Sequence, residues 1–99
     1  LLRRGKEFSA IFAVDDLIAI GAMRALQERG CSVGRDVAVV GCNDTILGAY
    51  VQPALTSVRV PIYELGQRAV QMLTAQIYGL GTFPGHQRLK AQLVVRGSA

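Results

Sequence analysis

Side chains that could do chemistry gather at two places in this sequence, and in both they follow directly on an apolar run. The run IFAV ends at Val14 and leads into Asp15 and Asp16. The run VAVVG ends at Gly41 and leads into Cys42, Asn43, Asp44 and Thr45. A carboxylate only accepts hydrogen bonds, whereas an asparagine amide both donates and accepts, so the two clusters together suit a small polar ligand. Other chemistries find less footing. His86 is the only histidine, in a loop beside Phe83, Pro84 and Gly85. No nucleophile-elbow motif surrounds Ser9, Ser32, Ser57 or Ser98. The sequence has neither GxxxxGK[ST] nor GxGxxG. One histidine with two isolated cysteines, Cys31 and Cys42, is no zinc set. No catalytic residue, metal or cofactor is therefore expected.

The elements that must position these residues follow from periodicity. Phe8 to Val14 is apolar, aromatic and short, a pattern for a buried strand. Either Asp15 or Asp16 can cap the helix that follows. From Leu17 to Arg29 apolar residues recur at helical spacing, with Leu17, Ala22 and Leu26 the expected core face. Gly30 ends that helix, Cys31 to Arg35 makes a turn, and Asp36 opens the next strand. A strand–helix–strand unit of this kind lays its strands parallel through a right-handed crossover. Ile46 to Gln52 fits a short helical turn or a surface loop, stopped by Pro53. Leu55 to Arg59 reads as a strand. Pro61 sits at a first helical position, and Ile62, Leu65, Ala69, Met72, Leu73 and Ile77 form one apolar helix face ending at Gly79. GLGTFPGHQ is a loop, LKAQLVVRG a last strand, and Leu1 to Arg4 before Gly5 the last turn of a helix. The fold class is α/β, a parallel sheet flanked by helices.

With the first two strands parallel, both polar clusters emerge at the carboxyl edge of the sheet, where open α/β sheets bind ligands. Two readings stay open there. The clusters line a ligand cleft, or Asp15 and Asp16 merely cap a helix while Asn43 to Thr45 merely turn the chain. A third arrangement uses the same residues. IFAVDD resembles the acidic pocket of bacterial receiver domains, in which paired carboxylates hold Mg²⁺. A receiver also needs a phosphate-accepting Asp, which Asp44 could imitate, and a later Lys, for which only Lys90 is present, inside the last expected strand.

Composition excludes several classes. Hydrophobic residues make up 51% and charged residues 18% of the 99, the balance of a packed chain and not a disordered one. No apolar run approaches the roughly 18 residues that span a bilayer, so no membrane partner is expected. The net charge of +4 is spread over eleven basic residues, of which only Arg3, Arg4 and Lys6 cluster, so no nucleic-acid surface is read in this segment. Two cysteines without a CxxC pair suit thiols in a reducing cytoplasm.

PALTSVRVPIYELGQRAVQML resembles the bacterial LacI/GalR family of transcription regulators, with their Pro-x-Leu-Thr-Thr-Val segment and Glu-Leu-Gly helix. IFAVDDLIAIGAMRALQERG, VGRDVAVVGCNDT and LVVRGS match further family stretches in the right order, and the ordered set covers nearly the whole chain. The resemblance implies part of a two-lobed periplasmic-binding-protein-like effector domain, holding a small ligand between its lobes. It further implies a cytoplasmic homodimer, and operator DNA contacted only through a helix-turn-helix headpiece outside this segment. On that reading the chain is a C-terminal part of the effector domain. Residues 1–60 and 88–99 belong mainly to the second lobe, and the helix at 61–80 packs on the first lobe or, without it, associates with itself or repacks.

Carried over residue by residue, the resemblance implies ligand contacts at Asp15, Asp16, Asn43 and Val60. Asp15 stands where the family has Asn, Asn43 where it has Asp, Cys42 where it has an aromatic residue, and Val60 where it often has Gln. Asn43 is the expected contact and Asp44 the expected turn former. The implied dimer contacts are Ile20, Met23, Gln27, Leu47, Tyr50 and Val51, with ordinary core as the alternative. A sugar or related metabolite is the implied effector. A periplasmic sugar-binding protein of a transporter is the alternative that shares the fold.

Overall fold

The computed structural model describes residues 7–81 and 85–99, which divide into two compact units. The first holds the described residues up to Arg59 together with Gln92–Ala99; the second holds those from Val60 to Ala91. The expected helix end at Leu1 to Arg4, the basic cluster there, and Phe83 and Pro84 lie outside the described residues.

The first unit is built on a four-stranded sheet in the order β1 (Ala10–Phe12), β2 (Ala38–Cys42), β3 (Thr56–Arg59), β4 (Gln92–Val94). β1, β2 and β3 run parallel, with Ala10 opposite Ala38 and Val40 opposite Thr56. β4 returns antiparallel to β3, Ser57 facing Val94 and Arg59 facing Gln92. The sheet is thus mostly parallel, as the strand–helix–strand pattern implied, with one reversed edge strand. Between β1 and β2 runs helix α1 (Asp16–Glu28). Asp15 is its N-cap: its carboxylate accepts from the Ile18 amide at 2.8 Å, satisfying one of the donors that every helix start leaves unpaired.

The buried stripe of α1 is Asp16, Ala19, Met23 and Leu26. These residues recur every three or four positions, so they lie on one helix face. This corrects one expectation: Leu17, expected in the core, is 63% exposed. For Met23, read as a dimer contact or as ordinary core, 2% exposure and packing in the core fit the second reading. Leu26, at 1%, is core as expected. The stripe meets Val33, Val37, Val39 and Leu55, and full burial of each large aliphatic side chain contributes about 1.5–3 kcal/mol.

After β2 the chain makes a short 3₁₀ helix (Ile46–Ala49), the helical alternative of the two open for that segment. Gly48 is buried under Leu55, and a Cβ there would come to 3.3 Å of the leucine side chain. Small hydroxyl residues then stitch the unit shut. The Ser98 hydroxyl accepts from the Thr56 amide at 2.7 Å and donates to the Val39 carbonyl at 2.6 Å. The Ser98 backbone donates to the Ala54 carbonyl and accepts from the Val39 amide. Thr56 Oγ1 in turn accepts from the Arg96 amide at 2.7 Å.

The second unit is dominated by helix α2 (Ile62–Tyr78), which begins just after Pro61 and closes on Gly79 in the left-handed conformation that glycine adopts without strain. Glu64 and Arg68 pair one turn apart on its surface. Ala75 is the one residue of α2 that is buried; Leu65, Leu73 and Ile77 of the expected apolar face are exposed.

Candidate functional site

Because β1 and β2 are parallel, Asp15 and Asn43 leave the sheet at the same, carboxyl edge. The turn after β2 is unusual: Asn43 and Asp44 in succession have positive φ, 90° and 49°. This left-handed region is unfavourable for residues carrying a Cβ, and Asn and Asp are the types that tolerate it best. Two such residues in a row persist only where the surroundings hold them.

Three different groups do so, one for each amide of the turn. The Asn43 N–H donates to the Val58 carbonyl at 2.8 Å. The Asp44 N–H donates to the Ser57 hydroxyl at 2.9 Å. The Thr45 N–H donates to Asp16 Oδ2, and the Thr45 hydroxyl donates to the same oxygen at 2.9 Å. Ser57 closes the circuit by donating to Asp16 Oδ1 at 2.7 Å. Asp16 is 0% exposed, a buried carboxylate kept soluble in the interior by three donors. Its approach requires Gly41, since a Cβ at that position would collide with Asp16 Oδ1. Asp16 is therefore a structural carboxylate. The expectation that it contacts a ligand is corrected by its burial and by the engagement of both its oxygens.

The Asp44 side chain points into a pair of arginines. Arg59 Nε donates to Oδ2 at 2.8 Å, and Arg96 Nη1 donates to Oδ1 at 2.7 Å and also to the Leu55 carbonyl at 2.9 Å. The Arg96 guanidinium, followed by that of Arg59, holds the Asp44 carboxyl below the ordinary value of 3.8. Asp44 thus shapes the turn, as its sequence position implied.

Asn43 is left differently placed. The one side-chain hydrogen bond it makes among the described residues is a weak one from the Cys42 thiol, at 3.9 Å. Its side chain is half-buried at the sheet edge. Asp15, at the same edge, has Oδ1 on the Ile18 amide. Val60 is half-buried in the second unit, and its carbonyl accepts from the Ile62 amide. The receiver-like arrangement loses its footing, because of the two neighbouring aspartates one caps a helix and the other is sealed by Ser57 and Thr45.

The remaining residues implied at a dimer contact lie on α1 and on the 3₁₀ helix with the residues just after it. Gln27 ties the two by donating to the Gln52 carbonyl at 2.8 Å. A shallow groove of about 210 Å³ runs between them, lined by Ile20, Met23, Arg24, Gln27, Val51 and Gln52. Leu47 and Tyr50 are exposed.

Ser57 and Arg96 were not expected at the site, and Thr45 was expected there only as one of the polar cluster, without its bonds to Asp16. Their only signals were their places inside LTSV, CNDT and VVRGS.

Comparison with known proteins places this geometry. The transcriptional regulator AscG of Escherichia coli is 41% identical over 98 residues, 99% of this chain but 29% of the regulator. The structure of the transcriptional regulator CelR in complex with cellobiose superposes with a TM-score of 0.89 at 36% identity, covering 99% of this chain and 30% of CelR. The Lac repressor bound to ONPG in its repressed state gives 0.88, also at 36% identity, with the same coverage of both chains. The chain spans less than a third of the length of these relatives. The family model for the periplasmic binding protein-like domain matches residues 3–99, and with that match running through the sheet, both helices and the turn at Asn43, the chain belongs to the family of periplasmic binding protein-like domains.

Proposed function

We propose that this chain is the effector-sensing and dimerisation part of a bacterial LacI-type transcription regulator. It binds a sugar or related metabolite between two lobes, and the full-length protein reaches operator DNA through a helix-turn-helix headpiece. The observation that carries this reading is the turn at Asn43, which presents an amide at the ligand-binding edge of the sheet while every backbone donor of Asn43, Asp44 and Thr45 is engaged from behind. Asn43 is the principal ligand contact, with Asp15 leaving the sheet at the same carboxyl edge. Relatives complexed with cellobiose and with ONPG support a carbohydrate effector. Relatives that are transcriptional regulators favour this reading over a transport receptor, and a regulator working on DNA acts in the cytoplasm.

The protein is non-catalytic. The effector acts by binding one arrangement of the lobes better than another, which is the only way a ligand shifts such an equilibrium. The exposed apolar side chains of α2, Leu65, Leu73 and Ile77, pack on the other lobe of the full-length protein. Ile20, Gln27, Leu47, Tyr50 and Val51 form the dimer contact around the groove on α1.

The test is calorimetric titration of the full-length protein with glucose, maltose, lactose and cellobiose, repeated on Asn43→Ala. Saturable binding of one sugar that is weakened at least about tenfold by the substitution is expected, the worth of one well-made polar contact. Wild-type binding that Asn43→Ala leaves unchanged would remove Asn43 from the site, and with it the basis of this reading.

A further inference from the structure

We propose that Ser57 is a positioning residue for the ligand contact at Asn43, and that its hydroxyl sets the affinity of a site it does not touch. The inference rests on the reading of Asn43 given above. Where the Asn43 amide points is fixed by two consecutive left-handed residues, a conformation the chain does not hold unaided. The middle amide of that turn, that of Asp44, has Ser57 Oγ as its acceptor. The same oxygen donates to Asp16, which in turn anchors the third residue, Thr45, through both its amide and its hydroxyl. Ser57 Oγ thus joins the Asp44 amide to Asp16 by hydrogen bonds on both sides.

The chemistry at that point is exacting. The group must accept from an N–H and donate to a carboxylate at once, which a hydroxyl does and a methyl or a carboxylate does not. Ser57 is 0% exposed, so water is not at hand to replace it. Without the hydroxyl, the Asp44 amide and one Asp16 oxygen both lose their partner in the interior. The turn then gains by leaving the left-handed region, and the Asn43 side chain swings away from the edge.

The experiment uses the full-length protein and four variants: Ser57→Ala, Ser57→Thr, Asn43→Gly and the double Ser57→Ala/Asn43→Gly. Each is titrated with glucose, maltose, lactose and cellobiose, and the Ser57→Ala crystal structure is determined. Ser57→Ala is expected to weaken the bound sugar at least about tenfold, and Ser57→Thr to restore it to within about threefold. In the double variant the loss should be no greater than in Asn43→Gly alone, because residues acting through one contact are not additive. A general weakening of the fold would instead add to the Asn43→Gly loss. Additive losses, or Ser57→Ala binding like wild type, overturn the proposal. Should Ser57→Ala not fold, Ser57→Cys, a weaker donor and acceptor of similar size, takes its place and should fall between wild type and Asn43→Gly. If none of these sugars binds the wild-type protein, it is the assignment of the effector class that fails. The positioning claim is then decided by the crystal structure alone. A turn that leaves positive φ at Asn43 and Asp44 supports it, and a turn that keeps its conformation overturns it.

Discussion

Asp15 and Asp16 are neighbours of the same type, yet replacing each by asparagine should have very different consequences. Asp15 accepts one hydrogen bond, from the Ile18 amide, and asparagine is as good an N-cap as aspartate. The Asp15→Asn change in stability should stay within about 0.5 kcal/mol. Asp16 accepts three, one on Oδ1 from Ser57 and two on Oδ2 from Thr45. An asparagine there keeps the shape but turns one acceptor into a donor. The better orientation leaves its carbonyl on Thr45 and aims its NH₂ at Ser57, whose hydroxyl hydrogen then has no acceptor. An unsatisfied buried polar group costs about 1–3 kcal/mol. The two Thr45 bonds also lose their charge assistance, which roughly halves each and takes about another 1 kcal/mol in all. The sum is about 2–4 kcal/mol. Urea denaturation of the full-length protein, followed by circular dichroism, should place the Asp16→Asn midpoint well below wild type and leave Asp15→Asn close to it. Midpoints for the two variants that coincide would refute the assignment of Asp16 as the internal anchor.

Four other outcomes are expected. The Asp44 carboxyl titrates below its ordinary 3.8 in the folded state, so the folded protein binds fewer protons there than the unfolded chain. Its contribution is complete above about pH 4 and is lost as the pH falls from there through the lowered value, so the stability gap between wild type and Asp44→Asn should narrow only in that acid range. Arg96→Ala should cost about 1.5–3 kcal/mol in urea denaturation, because that side chain is 23% exposed and also holds the Leu55 carbonyl. Arg59→Ala, at 54% exposed, should cost under about 1 kcal/mol. Tyr50→Glu, on an exposed side chain of the proposed dimer contact, should raise the dimer dissociation constant at least about tenfold in sedimentation equilibrium; an unchanged dimer would remove Tyr50 from the interface.

The β1–α1–β2 unit was legible because apolar runs of strand length and an aspartate at the helix start leave little alternative. The phase of α1 was not. Apolar residues occur nearly all round its first turns, and the residue that begins the buried stripe is an aspartate, which pattern reading assigns to solvent. That put Leu17 inside, where it is exposed, and left Met23 open between core and dimer contact. At the site, the position of Asn43 and the turn-forming role of Asp44 could be read from their place after a strand. The roles of Ser57, Thr45 and Arg96 could not, because their hydrogen bonds join segments far apart in sequence: Ser57 lies 41 residues from Asp16 and Arg96 lies 52 from Asp44. Small hydroxyls inside strands carry no periodic signal, and only the closed network gives them a function.

The stitching by Ser98 bears on how the protein is made. β1, α1, β2 and β3 are synthesised first, but the Thr56 amide and both backbone groups of Val39 lack their Ser98 partner until it is available, and β3 has an open edge until β4 arrives. All of Val60 to Ala91 must leave the ribosome in between, an interval on the order of seconds at ~5–20 residues per second. During it the nascent chain carries an unpaired strand edge of the kind that recruits other chains. Synthesis speed through α2, and the presence of a chaperone that shields such an edge, should therefore govern the yield of soluble protein more than the final stability does.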